Sequence, residues 1–164
     1  PAVANLYEKG ISIGVISKAY AIPGLRIGWM VCQNQKLRDK VIDIKGYLSI
    51  CNSQIDELLV SVILKSDKKI LNRNLSIINK NKLILKQLKS VLNHPIKLWI
   101  PNTGCSAFAE IKSDIKSNEL VNIVANKHHY LLYPSTLFKT QLNGFRMGYG
   151  SHAFDHFVSS VGGY

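Results

Sequence analysis

No apolar run in this sequence is long enough to cross a bilayer: the longest strongly apolar stretch, around Leu58 to Leu64, falls far short of the roughly 20 residues a spanning helix needs. A membrane partner is therefore not expected. No signal peptide is visible either. Cysteine is scarce, with Cys32, Cys51 and Cys105 forming an odd set without C-x-x-C spacing. That excludes a disulfide framework and predicts reduced, mostly buried thiols in a cytoplasmic protein. Internal repeats, low-complexity tracts and disordered linkers are also missing. What remains is a chain of 164 residues, 46% hydrophobic, which is enough for one packed domain or two smaller lobes.

Acid is in short supply too. Twenty-one lysines and arginines face 10 aspartates and glutamates, a formal net charge of +11. Between Lys65 and Lys97 nine basic side chains stand against Asp67 alone. Such a balance raises the question of a nucleic-acid surface. Aromatic residues, the stacking platforms of such surfaces, are nearly absent from that stretch, and no nucleic-acid motif accompanies it. The basic run reads as a solvated helical face, with no nucleic-acid partner.

Glycine and proline are absent between Gly46 and Pro95. Within that span apolar residues recur at helical spacing: Leu59, Val62 and Ile63, then Leu71, Leu75 and Ile78, then Leu85, Leu88 and Leu92. Two or three helices are predicted. After Pro101 the pattern predicts a strand over Ala107 to Ile111 and a helix from Ser117 to about Lys127, capped by Ser117 or Asn118. Extended pieces near Tyr130 to Tyr133 and Phe145 to Tyr149 follow, then a terminal helix after Ser151. His152 and His156 have the spacing of one helical face, with Asp155 between them, but no third ligand accompanies them and no metal is expected. His128-His129 ends the middle helix, where an imidazolium suits the dipole.

The densest chemical signal is Ser17-Lys18-Ala19-Tyr20-Ala21-Ile22-Pro23-Gly24-Leu25-Arg26-Ile27-Gly28-Trp29. Pro23-Gly24 reads as a turn between two apolar strands, Ile11 to Ile16 and Leu25 to Cys32. Lys18 and Arg26 stand on either side of that turn. Taken singly, either residue is ordinary surface decoration or an ion-pair partner; the agreement of the whole string sets it apart. The string resembles the cofactor-lysine signature S-K-x-x-x-x-P-G-L-R-x-G-[WY] of the fold-type I, pyridoxal-phosphate-dependent aminotransferases of class I/II. The resemblance implies that Lys18 is the catalytic lysine, holding the aldehyde of pyridoxal 5'-phosphate as an imine and later moving a proton on the substrate carbon. It also implies that Arg26 grips the cofactor phosphate with its planar fork.

Gly144-Phe145-Arg146-Met147-Gly148-Tyr149-Gly150 is similar to the family's late F-R-[LIM]-G-[FY]-[GA] strand. The likeness implies that Arg146 clamps the substrate α-carboxylate, with flanking glycines leaving room for close approach. Pro101-Asn102-Thr103-Gly104-Cys105-Ser106-Ala107-Phe108 resembles the family's entry to a small-domain strand. Tyr133-Pro134-Ser135-Thr136-Leu137-Phe138 resembles its P-G-x-x-F pocket segment, with Ser135 where glycine is usual. Tyr7 to Ser12 and Ser53 to Glu57 resemble the branch containing capreomycidine-synthase-like enzymes.

One departure stands out. The family carries a serine or threonine three residues before the lysine, and here that position is Val15. Ser17 is not expected to replace it, since strand neighbours face opposite sides.

The resemblance implies an α/β fold, the carboxy-terminal part of a fold-type I transferase. Residues 1–75 are then the end of the large cofactor domain with the start of an interdomain helix, and residues 76–164 a small α+β domain. The amino-terminal phosphate loop, ring-stacking aromatic and ring-nitrogen acid of the family have no counterpart in the sequence, so the chain alone is expected to bind cofactor poorly. The implied activity is amino transfer between an amino acid and a 2-oxo acid, in a homodimeric full-length enzyme. Elimination or cyclisation on the same fold, or a non-catalytic basic interaction domain on a degenerate scaffold, are the alternatives.

Overall fold

Apolar residues flank the Pro23-Gly24 turn, and they pair as a short antiparallel hairpin. Strands β1 (Ile11–Val15) and β2 (Gly28–Cys32) run in register from Ile11 opposite Cys32 to Val15 opposite Gly28. Gly14 faces Trp29, and a Cβ on Gly14 would overlap the indole, so a larger residue there would have to displace the ring. The computed structural model describes residues 1–91 and 95–162, and the chain divides into two units, Pro1–Asn74 and Leu75–Tyr164.

The strands are shorter than the sequence predicts. Ile16 leaves β1 to begin a single helical turn, α2 (Ile16–Ala19), and Leu25 ends a 3-10 turn (Pro23–Leu25). A four-residue turn α1 (Val3–Leu6) precedes the hairpin. Its Ala4 is tied back to the hairpin, donating its N–H to Ser12 Oγ at 3.0 Å and accepting from Gln33 Nε2. The first unit continues with α3 (Gln35–Leu48), which the sequence reading does not anticipate, and α4 (Gln54–Lys65). Both begin on side-chain caps: Asn34 accepts from Leu37 N–H at 3.0 Å, and Ser53 from Asp56 N–H at 3.3 Å. Helix α5 (Asp67–Val91) follows; the Gly- and Pro-free span thus holds α4 and α5 together with the end of α3. Leu92, expected in this helical pattern, lies outside the described residues.

The second unit is built on a four-stranded antiparallel sheet in the order β3-β4-β6-β5, from β3 (Ile96–Trp99), β4 (Ser106–Ile111), β5 (Tyr133–Pro134) and β6 (Gly144–Gly148). Strand β3 is absent from the sequence reading, whereas β4, β5 and β6 overlap the predicted extended pieces. Alternation sorts the side chains. Leu98, Ala107, Ala109, Ile111, Phe145 and Met147 point to one face, where they join Leu85 of α5, Val121 and Val124 of α6 (Ser117–His128), and Phe154 of α7 (Ala153–Gly162) in the core.

Two polar residues lock this core. Asn81 of α5 is buried and donates through Nδ2 to the carbonyls of Tyr149 and Ser151 at 2.9 and 2.8 Å. Ser135 is buried as well: its hydroxyl accepts from Gly144 N–H at 3.2 Å and lies 3.3 Å from Ser117 Oγ. The serine in the place where the family has glycine therefore joins the β5 turn to β6 and α6. Neither Ser117 nor Asn118 caps α6. Asn143 does so from across the fold, its Oδ1 accepting from Ser117 N–H at 2.9 Å.

Candidate active site

Lys18 stands on α2, a turn too short to be stabilised by its own hydrogen bonds. Its anchors are tertiary. Ile16 is fully buried and donates its N–H to Ile27 O at 3.2 Å, and Asn74 Nδ2 of α5 donates to Ala19 O at 2.9 Å. The turn is held at both ends while the Lys18 side chain remains exposed. Ser17 belongs to this helical turn and not to the strand, so the alternation that separated it from Val15 in the sequence reading does not operate here.

Arg26 is not on a strand either. It closes the 3-10 turn in the left-handed region, at φ 51° and ψ 28°, a conformation that costs an L-residue roughly 1–2 kcal/mol. Its guanidinium bends back, Nη1 donating to Pro23 O at 2.9 Å. One N–H of the fork is used locally and the others remain for a ligand. The turn bearing Lys18 packs against the turn that Arg26 closes, so amine and guanidinium lie on adjoining segments of one unit.

Arg146 belongs to the second unit. It is exposed on the face of β6 opposite the core. Register places it in a row that crosses the whole sheet: Trp99 opposite Phe108, Phe108 opposite Arg146, and Arg146 opposite Tyr133. The guanidinium carbon lies 4.9 Å from the centre of the Tyr133 ring and 5.0 Å from that of Phe138, both cation–π distances. Beside it opens a cleft of about 730 Å³ whose lining includes Lys89, Trp99, Phe108, Phe138 and Leu142. The flanking glycines differ in role. A Cβ on Gly144 would collide with Ala109 O and the Phe108 ring, so that glycine serves the sheet, whereas Gly148 has open space beside it.

Of the aromatic surround of Arg146, Phe108, Tyr133 and Phe138 lie in strings that the sequence reading singles out, whereas Trp99 does not and is added by pairing across strands. The short apolar run Ile96–Trp99 after Pro95 was the available signal.

His152 lies just before α7 and His156 within it. Asp155 pairs instead with Lys80 Nζ at 2.6 Å, and that hydrogen bond holds its carboxyl below the ordinary aspartate range. Among the described residues no three His, Cys, Asp or Glu side chains come together. Likewise, no helix among them is long and apolar enough to cross a membrane. Cys32 is buried, but Cys51 and Cys105 are exposed, contrary to the expectation of mostly buried thiols.

The family model "Aminotransferase class I and II" matches residues 4–154. Capreomycidine synthase from Streptomyces vinaceus is 25% identical over 142 residues, covering 87% of this chain and 36% of its own. A PLP-dependent aminotransferase from Streptococcus suis 89-1591 superposes with a TM-score of 0.86 at 27% identity, over 98% of this chain and 43% of its own. The PLP-dependent cyclase OrfR superposes with a TM-score of 0.80 at 20% identity, over 93% of this chain and 42% of its own. The chain thus spans about two-fifths of the length of these proteins, and its α/β fold is that of the corresponding part of a fold-type I enzyme.

Proposed function

Because this chain belongs to the class I and II aminotransferase family, whose cofactor is pyridoxal 5'-phosphate, we propose that it carries the lysine and the two arginines of an enzyme that moves an amino group between an amino acid and a 2-oxo acid. The observation that supports this most directly is the pinned turn of α2, which holds an exposed Lys18 amine next to the turn closed by Arg26. The donor set suits the cofactor. A primary amine matches its aldehyde, and a planar, permanently charged fork matches its phosphate. Val15 offers no hydroxyl, so of these two positions Arg26 is the one with a donor for the phosphate. The division at Asn74/Leu75 supports reading the first unit as the end of a cofactor domain and the second as a small domain.

The bound cofactor supplies a carbonyl carbon and an electron-withdrawing ring. Lys18 Nζ would hold that carbon, and as a free base it would take the proton from the substrate Cα and return it. Arg26, on the adjoining turn, would hold the phosphate end. Arg146 orients the substrate by its carboxylate. The resemblance also supports a cytoplasmic homodimer as the working enzyme.

Borohydride reduction of the holoprotein followed by peptide mass spectrometry should place the cofactor on Lys18, and Lys18→Ala should abolish that adduct. An adduct on another lysine would overturn the assignment. Losing one charge-assisted clamp costs roughly 1.5–3 kcal/mol, about ten- to a hundred-fold in affinity. Arg26→Ala should therefore need more cofactor to saturate. Arg146→Ala should keep the cofactor yet lose kcat/KM for α-amino acids, while an amine without a carboxylate remains unaffected.

The similar synthase and cyclase favour a second reading, in which the same proton transfer by Lys18 leads to ring closure. Release of a 2-oxo acid without free ammonia marks the first reading; consumption of an amino acid with no 2-oxo acid released marks the second.

A further inference from the structure

The face of the sheet that carries Arg146 is more specialised than a carboxylate clamp requires. Register sets Trp99, Phe108, Arg146 and Tyr133 in one row, all directed away from the core. Neighbouring strands lie about 4.8 Å apart, so Phe108 stands about 5 Å and Trp99 about 10 Å from Arg146 along the row. That is an apolar shelf two strands wide beginning beside a cation. Phe138 and Leu142 add to it, and Lys97 holds the Trp99 ring from one side, its Nζ 4.3 Å from the ring centre. The cleft of about 730 Å³ over this shelf falls within the range of small-molecule sites.

Charge narrows the occupant. Arg146 and Lys89 line the cleft, and no carboxylate is among its described lining residues. Tyr133 and Phe138 lie against the guanidinium, which makes no hydrogen bond or ion pair with another described residue, so its N–H edge remains free for an anion. A short dicarboxylate would use both cations but leave the aromatic shelf uncovered. The exposed Lys89 adds little to binding in compensation.

We propose that this cleft selects a carboxylate with a flat aromatic body, so that the substrates are amino or 2-oxo acids of the phenyl or indolyl type. The proposal rests on the reading of Arg146 as the carboxylate residue. Arg146 anchors the acid, and Phe108 with Trp99 covers the ring.

The probe is 3-phenylpropionate, titrated into the whole protein while the indole N–H resonance that disappears in Trp99→Phe is followed by NMR. That resonance should shift and saturate with 3-phenylpropionate. Propionate and succinate should bind at least about tenfold more weakly, and 3-phenylpropylamine should leave the resonance in place. Arg146→Gln should weaken the aromatic acid by about ten- to a hundred-fold. Phe108→Ala should weaken it about three- to tenfold and leave propionate unchanged; Phe138→Leu, which retains bulk, gives the same comparison should Phe108→Ala disturb the sheet. Succinate or propionate binding as tightly as 3-phenylpropionate, with both lost in Arg146→Gln, would overturn the aromatic selectivity and leave the carboxylate clamp standing. Aromatic-acid binding indifferent to Arg146→Gln would overturn both. Failure of borohydride to label Lys18 strikes the reaction alone and leaves this binding measurement intact.

Discussion

Asn81→Ala tests how α5 is fastened to the sheet unit. The native side chain is 2% exposed and gives both of its Nδ2 protons to carbonyls, those of Tyr149 and Ser151. Alanine removes two neutral hydrogen bonds at about 0.5–1.5 kcal/mol each, so a loss near 2 kcal/mol follows. For a unit of this size that is a fall in Tm on the order of 10 °C. Asn81→Asp separates hydrogen bonding from packing, because it keeps the shape while replacing the donor by a carboxylate that can only accept. Facing two carbonyls, it should be less stable than Asn81→Ala at neutral pH. Burial against acceptors raises the pKa of the introduced carboxyl in the folded state, so the unfolded chain binds fewer protons between the two values and stability falls as pH rises. The Asn81→Asp protein should accordingly recover stability on acidification through that window, where Asn81→Ala does not. Thermal and urea unfolding followed by near-ultraviolet circular dichroism, at neutral and mildly acidic pH, reads both effects. If both variants unfold within about 0.5 kcal/mol of the native protein, the two hydrogen bonds do not hold this helix.

Arg26→Gly should relieve the left-handed backbone by about 1 kcal/mol while weakening cofactor binding about ten- to a hundred-fold, so that stability and affinity move in opposite directions; calorimetric unfolding beside a cofactor titration measures both. Asp155, held below its ordinary range by Lys80, contributes stability that is present above the unfolded value near 3.9 and is lost as pH falls through the folded value. Lys80→Met should flatten that acid limb in a pH series of urea midpoints, and an unchanged limb would show that the pair is not what sets it.

Much of the second unit could be read from local pattern. Ala107, Ala109 and Ile111 alternate as a half-buried strand should, and α6 starts and stops within a residue of its expected ends. Its cap could not be read, because Asn143 lies 26 residues from the N–H it serves. In the first unit, four residues are too few to show a period, and the helical turn that carries Lys18 is set by the burial of Ile16 and the reach of Asn74. Arginine has no preference for the left-handed region, so nothing in the composition announced the geometry of Arg26. Helix α3 did carry a sign in its Asn34 cap, but Ile42, Ile44 and Leu48 are exposed and draw no core-facing stripe. Lys18, Arg26 and Arg146 stood out in the sequence as members of two motif strings. The aromatic row did not, since pairing across strands assembles it.

That row has a consequence for how such an enzyme diverges. Along β4 the residues that touch the core are Ala107, Ala109 and Ile111, and those that face outward are Ser106, Phe108 and Glu110. The two sets alternate in the chain but share few neighbours in space, so substitutions in one leave the other largely undisturbed. Trp99, Phe108 or Tyr133 can therefore be traded for other side chains, changing the surface this face presents, without first repairing the packing beneath. Selection on what the sheet binds and selection on whether it folds act on different letters of the same strand.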